Sequence, residues 1–383
     1  MPTLYMAWRG VDDDQHLYWA VTFDGQWWSR QLVLSDQASL NAPALTAFQD
    51  ELFMAWRGAN DDNLWWSTYD GNAALKWSDQ HHLADRGSAA GPALAVFQDN
   101  LYMAWRGVSG DDNLYCAIYD ANDPPGWKDQ HRLSDRATAD APTLAVFQDK
   151  FFMAWRGVVG DENLYWATFD PNDPRGWSDQ HPLTDRGSTE GPALATFQNK
   201  LYMVWKGVQG IDEDDQRLFW ATYDENAPGN WTGQTVMERT TPDQAGIVVM
   251  GSTHRASLAV FQNDIFVAGA GPNIVSSAGL PDTGEAVNAM GEDPSHPPPL
   301  EPKGIFYFNF DGEIPSLPIR LFPNRASEAP VAQAVYFNIP LSLKNVMLKH
   351  GLAPSKGVKE FVQDFSPATS SIRPLPLRPL TGF

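Results

Sequence analysis

An arginine recurs along this chain at near-constant intervals: Arg9, Arg57, Arg106 and Arg156, with Lys206 in the fifth place. Its planar, permanently charged fork suits a pair of neighbouring hydroxyls or a carboxylate. A second recurrent charge is the aspartate of the Asp-Arg dipeptides, at Asp85, Asp135 and Asp185. Arg57, Arg106, Arg156, Lys206, Asp85, Asp135 and Asp185 therefore form the candidate ligand-binding set. The competing expectation is that these arginines and aspartates neutralise one another as a scaffold ion pair in each repeat. His254 and Arg255 have no equivalents in the regular repeats, and a His beside an Arg can polarise a carbonyl or act as acid and base. They are the candidate catalytic pair.

Other chemistry-bearing groups read as structural. The acidic turns (Asp12 to Asp14, Asp61-Asp62, Asp111-Asp112, Asp161-Glu162, Asp212 to Asp215) contain no D-x-D-x-D-G loop, so solvated turns are expected and no metal is. His81, His131 and His181 recur one per repeat in Asp-Gln-His, too far apart to share an ion. Cys116 stands where other repeats have Trp66 and Trp166, which predicts a buried thiol. Asn230-Trp231-Thr232 is a formal glycosylation sequon to which no role is given. The chain has no G-x-S-x-G, H-E-x-x-H or G-x-x-x-x-G-K-[ST], and lacks the S-x-D-x-G-x-x-W box of sialidase propellers.

The elements that must carry these groups follow from the repeat. The motif [LF]-[YF]-M-[AV]-W-[RK]-G places its tryptophan at Trp8, Trp56, Trp105, Trp155 and Trp205, and a decayed copy, IFVAGAG, has Gly269 there. Each unit holds four short runs with strand-like alternation. The first two are joined by Gln-Asp or Gln-Asn, which reads as a two-residue hairpin. Four strands in about 50 residues is the pattern of a β-propeller blade. Large rings are needed where blades pack face to face, so most of the tryptophans (Trp77, Trp127, Trp177 and Trp231 on fourth strands; Trp19, Trp66, Trp166 and Trp220 on third strands) are expected in the core.

The chain starts at the second strand of a blade. Arg320 to Phe337 matches Arg132 to Phe147, so Ala329 to Phe337 supplies the missing first strand. The expected fold is all-β: a six-bladed β-propeller of four-stranded antiparallel blades, closed by pairing N- and C-terminal strands over residues 1–337. Closure removes exposed sheet edges. A seventh blade would need strands from the C-terminal tail. Insertions at about 236–256 and 271–304 fall on the same face of the ring, and residues 338–383 form a Pro-rich tail expected to pack on the propeller.

The runs GPALAVFQDNLYMAWRG and DNLYWATFD, followed by Trp-Ser-Asp-Gln, resemble the blades of the bacterial fucose-binding lectins of Photorhabdus type. Six blades with end-to-end closure resemble the fungal lectins of Aleuria type. The resemblance spans Leu4 to about Phe337 and implies sugar sites between adjacent blades. The Arg-Glu-Trp site of the fungal family does not map here residue by residue.

Composition narrows the partners. A net charge of −20 opposes a nucleic-acid partner, no run of about 18 apolar residues is present to span a membrane, and no leader is visible at the start, so a cytoplasmic location is the expectation. No cofactor is implied. Three functions remain. The first is a carbohydrate-binding, lectin-like propeller with repeated shallow sites, where several weak sites would gain avidity. The second is a lectin-derived enzyme with one channel-mouth site at His254 and Arg255, acting on a small, largely apolar molecule through a cyclisation or cycloaddition by positioning. The third is a protein-interaction scaffold using the Pro-rich insertion or the tail.

Overall fold

Alternating residues become antiparallel strands, and the strands become blades. The computed structural model describes residues 2–335 except 11–12, 71–76, 123–125, 171–172, 174–175, 209–215, 241–246, 271–273, 279–303, 313–318 and 324–330. Among them are six four-stranded antiparallel sheets and one of three strands. The inner strands of the six blades are Ala44–Phe48, Ala93–Phe97, Thr143–Phe147, Ala193–Phe197, Ser257–Phe261 and Val331–Val335. Each packs on the next and the last returns to the first, so the ring is a closed six-bladed β-propeller.

The hairpin reading holds at backbone level. Gln49-Asp50, Gln98-Asp99, Gln148-Asp149 and Gln198-Asn199 all have φ between 45° and 65°. Consecutive left-handed residues make the tight turn whose twist matches the strands it joins. Blade 1 is closed as expected. Val331–Val335 pairs antiparallel with Thr3–Arg9, with Leu4 opposite Ala334. The two insertions meet: Glu238–Thr240, Ile247–Met250 and Ile274–Ala278 form the three-stranded sheet, with Ile247 opposite Ala278. Residues 338–383 and the Pro-rich stretch Ser295 to Pro302, which carried the scaffold expectation, lie outside the described residues.

The tryptophans go where blade packing requires them. Trp8, Trp56, Trp105, Trp155 and Trp205 are buried, as are Trp77, Trp127, Trp177 and Trp231. Clusters cross the seams; Phe53 and Trp66 of blade 2, for example, pack with Leu101 and Trp105 of blade 3. Trp220 is only half-buried. His81 and His181 are exposed and lie flat on Trp66 and Trp166, with ring centroids 4.2 and 4.5 Å apart. Among the described residues no group of three or more metal-ligating side chains converges.

Candidate functional site

The repeated polar residues are mostly spent on holding blades together. Arg57 pairs with Asp62 and Arg106 with Asp112, both in the acidic turn of their own blade. Their other arms reach toward the next blade: Arg57 Nη1 donates to Ala89 O at 3.3 Å and Arg106 Nη1 to Ala139 O at 3.0 Å. Arg156 donates to Thr189 O, and Lys206 Nζ to Thr189 Oγ1 at 3.1 Å. The expected ion pair between these arginines and the Asp-Arg aspartates does not form. Asp85 is held by Arg86 at 2.7 Å, Asp135 by Arg136 at 3.5 Å and Asp185 by Arg186 at 2.8 Å.

The reason is a bulge. Leu64 faces Leu83 while Asn63 faces Gly87, so Ala84, Asp85 and Arg86 have no opposing residues. The same step occurs at Asn113/Leu114 and Asn163/Leu164. A bulge re-aims side chains. Here it sends the arginine into the seam and leaves the aspartate outside. Arg86 Nη2 donates to Trp127 O of the next blade at 2.8 Å, and Arg136 donates to Ser178 O. Arg186 lies 5.7 Å over the Trp205 ring. The Asp-Gln glutamines lace the outer seam: Gln80 Nε2 donates to Asp36 O at 2.9 Å and Gln180 Nε2 to Asp135 O at 3.1 Å.

The seam carboxylates are exposed yet fixed. The side chains of Asp85 and Asp185 are 66% and 61% accessible, while those of Arg86 and Arg186 are 5% and 2%. Asp185 takes two bonds from Arg186, at 2.9 and 2.8 Å, and these hold its carboxyl below the usual range.

The acidic turns are more than solvated loops, which corrects the expectation. Asp111 Oδ2 accepts the Tyr115 hydroxyl at 2.6 Å, and Asp161 Oδ2 that of Tyr165 at 2.7 Å. These bonds lower Asp111 and push Tyr165 up to about 12. Asp111→Ala is expected to cost about 1–2 kcal/mol, the scale of a charge-assisted bond, measured by urea unfolding. Cys116 is half-buried, and burial of its sulfur raises the thiol to about 11, so it is no nucleophile at neutral pH.

A second site lies on the channel axis. The turns leading into the inner strands enclose a cavity of about 290 Å³. Its wall is an apolar collar repeated by the Pro-Ala-Leu pattern, including Leu45, Leu94, Leu144, Leu194 and Leu258. Its polar residues are Asn41, Asp140, Thr143, Glu190, His254, Arg255 and Ser257. The structure therefore brings His254 and Arg255 to the channel mouth. Arg255 is not a loose cation: Nη1 donates to Ala141 O and Nη2 to Pro192 O, each at 3.3 Å, so it ties three blades together.

Glu190 and Asp140 were not singled out from the sequence. Asn41, Ala90, Asp140, Glu190 and His254 occupy one equivalent position in successive repeats, two residues before the inner strand's proline or its replacement, and Glu328 is the sixth. Comparing repeats for the position that varies, instead of those that recur, would have found them. Asp140 Oδ2 accepts Gly191 N–H at 2.5 Å. The Glu190 carboxyl has no hydrogen bond and no ion pair among the described residues, and burial together with the Asp140 charge raises it to about 8 against the pull of Lys206, Arg255 and Arg156.

No protein-family model and no curated protein matches the sequence. Solved structures do match. An arginine-to-alanine triple mutant of AofleA from Arthrobotrys oligospora is 11% identical over 85% of this chain and 84% of that one, with a TM-score of 0.54. The Aleuria aurantia lectin, solved with Fucα1-6GlcNAc, is 11% identical over 84% and 92%, with a TM-score of 0.51. An α-L-arabinofuranosidase from Lactobacillus brevis superposes less well, at 14% identity, 71% and 92% coverage and a TM-score of 0.42, and carries no weight. At these identities the similarity is one of fold, and the fold of this chain is a six-bladed β-propeller.

Proposed function

We propose that the protein binds carbohydrate at its blade seams. The observation that carries this reading is the set of outward carboxylates on Asp85 and Asp185, each locked by a buried arginine that also touches the next blade. A fixed, ionised carboxylate accepts paired sugar hydroxyls without losing side-chain entropy on binding. Asp135 repeats the pattern with a longer 3.5 Å pair. The bound fucoside in the Aleuria aurantia lectin supports a fucose-type glycan as the first ligand class to try. Arg57, Arg106, Arg156 and Lys206 act behind these seams as the frame that sets blade spacing.

A glycan array with the full-length protein tests this. Selective binding is expected, and the Asp85→Asn/Asp135→Asn/Asp185→Asn variant should lose at least tenfold in apparent affinity while Arg106→Lys keeps the same glycan profile. A silent array for the folded wild type would end this reading. A second reading, one site for a small apolar molecule at the channel mouth with His254 and Arg255, is favoured by a different observation: the mouth is where the repeat breaks.

A further inference from the structure

Five blades put a small residue immediately before the proline that leads into the inner strand: Ala42, Gly91, Ala141, Gly191 and Ala329. Backbone crowding is the reason where a glycine stands there. A Cβ on Gly91 would meet the Ala42 carbonyl oxygen at 2.5 Å, and one on Gly191 would run into that of Ala141. Blade 6 departs from the rule with Arg255, followed by Ala256 in the proline position. Its side chain reaches the carbonyls of Ala141 and Pro192 on two other blades and lines the cavity at the mouth.

A guanidinium carries five N–H donors. Arg255 spends two of them, each on a bond of 3.3 Å, and has no ion pair among the described residues. Behind it, Arg156 is also without a carboxylate. Arg57 and Arg106 pair with Asp62 and Asp112, whereas Arg156 donates to Thr189 O and has no ion pair among the described residues. Lys206 is buried nearby and donates to Thr189 Oγ1 at 3.1 Å. Against these cations stand Asp140, held in the wall by the Gly191 N–H, and Glu190, whose carboxyl is pushed up to about 8 by burial and the Asp140 charge. Near neutral pH the described part of the mouth is short of negative charge.

We propose that the channel mouth binds a small hydroxylated carboxylate, of the size and polarity of a uronic acid, with its carboxylate on Arg255 and its hydroxyls on the polar side chains of the lining. A planar fork takes a carboxylate through paired, charge-assisted bonds. Asn41, Thr143 and Ser257 supply an amide and two hydroxyls that a polyol matches, and the leucine collar supplies an apolar floor for its C–H face. At about 290 Å³ the cavity holds one such ring. The site is separate from the seams and goes beyond both readings of function, because neither a neutral sugar nor an apolar molecule would answer the charge of Arg255.

The test uses the full chain, titrated calorimetrically with D-glucuronate, D-glucose and D-glucosamine, one pyranose ring carrying an anion, no charge or a cation. Glucuronate is expected to bind best, at one per chain and by about tenfold over glucose, the scale of one charge-assisted bond. Arg255→Gln should remove that preference, and Arg255→Lys, which keeps the charge but not the fork, should keep part of it. Leu194→Trp, which fills the collar, should abolish binding, with urea midpoints checking that each variant is folded. If Arg255→Gln does not fold, the probe series and Arg255→Lys still decide. The seam variant Asp85→Asn/Asp135→Asn/Asp185→Asn should leave glucuronate binding unchanged, so failure of the seam reading leaves this one standing. Preference for glucose or glucosamine overturns the proposal, as does glucuronate binding that the seam variant abolishes or that Arg255→Gln and Leu194→Trp both leave intact. No glucuronate binding to the folded protein overturns it as well. Binding lost in Leu194→Trp but unchanged in Arg255→Gln keeps the mouth as a site and overturns the place of the carboxylate on Arg255.

Discussion

Replacing Arg86 with alanine is expected to lower stability by about 2–4 kcal/mol, read as an earlier midpoint in urea at unchanged slope. Three losses combine. The Trp127 carbonyl across the seam loses its 2.8 Å donor, Asp85 loses its counter-charge, and a side chain that is 5% exposed leaves a void. Arg86→Lys should recover part of the loss, because an ammonium can serve the carbonyl or the carboxylate but lacks the fork for both. Arg86→Met keeps the volume and isolates the polar part. If Arg86→Ala changes the midpoint by less than about 0.5 kcal/mol, the scale of a surface substitution, the seam does not depend on this residue.

The Glu190 carboxyl should imprint itself on the pH dependence of stability. Its folded pKa, about 8, lies above the ordinary 4.5. Between those values the folded chain binds more protons than the unfolded chain, so stability falls as pH rises. The favourable contribution is complete below about 4.5 and gone above about 8. A shift of this size corresponds to on the order of 3 kcal/mol once solvent in the open cavity is allowed for. Glu190→Gln cannot ionise and should be more stable than wild type at pH 9, with the two curves converging near pH 4. Parallel curves from pH 4 to pH 9 would show that Glu190 is not raised.

The fold was legible in the sequence because the propeller repeats its signals. Alternation in PALAVF and LYMAW, the Gln-Asp turn and the tryptophan spacing each occur four or five times, so local accidents average out. The ring closure was legible because Arg320 to Phe337 still resembles Arg132 to Phe147. Partner choice was not. Arg57 meets Asp62, five residues away, because the second and third strands are joined at that turn, whereas Asp85 is turned outward by a bulge that periodicity does not announce. His254 and Arg255 were found because they broke the pattern. Glu190 and Asp140 were missed because each fits the pattern's length and differs only in side chain.

The pairing of Leu4 with Ala334 joins residues 330 positions apart. Closing a loop of that length costs about 2 kcal/mol more in chain entropy than closing one of about 40 residues, and contacts of such separation form late. During synthesis the hairpin at Thr3–Thr22 must therefore wait, with one edge unpaired, until Val335 has been made. Five blades can grow by local pairing, but the blade of Thr3–Arg9 is completed only once Val331–Val335 has been made. The nascent chain thus carries an open strand while the other five blades are made, and that strand is where two unfinished copies would meet.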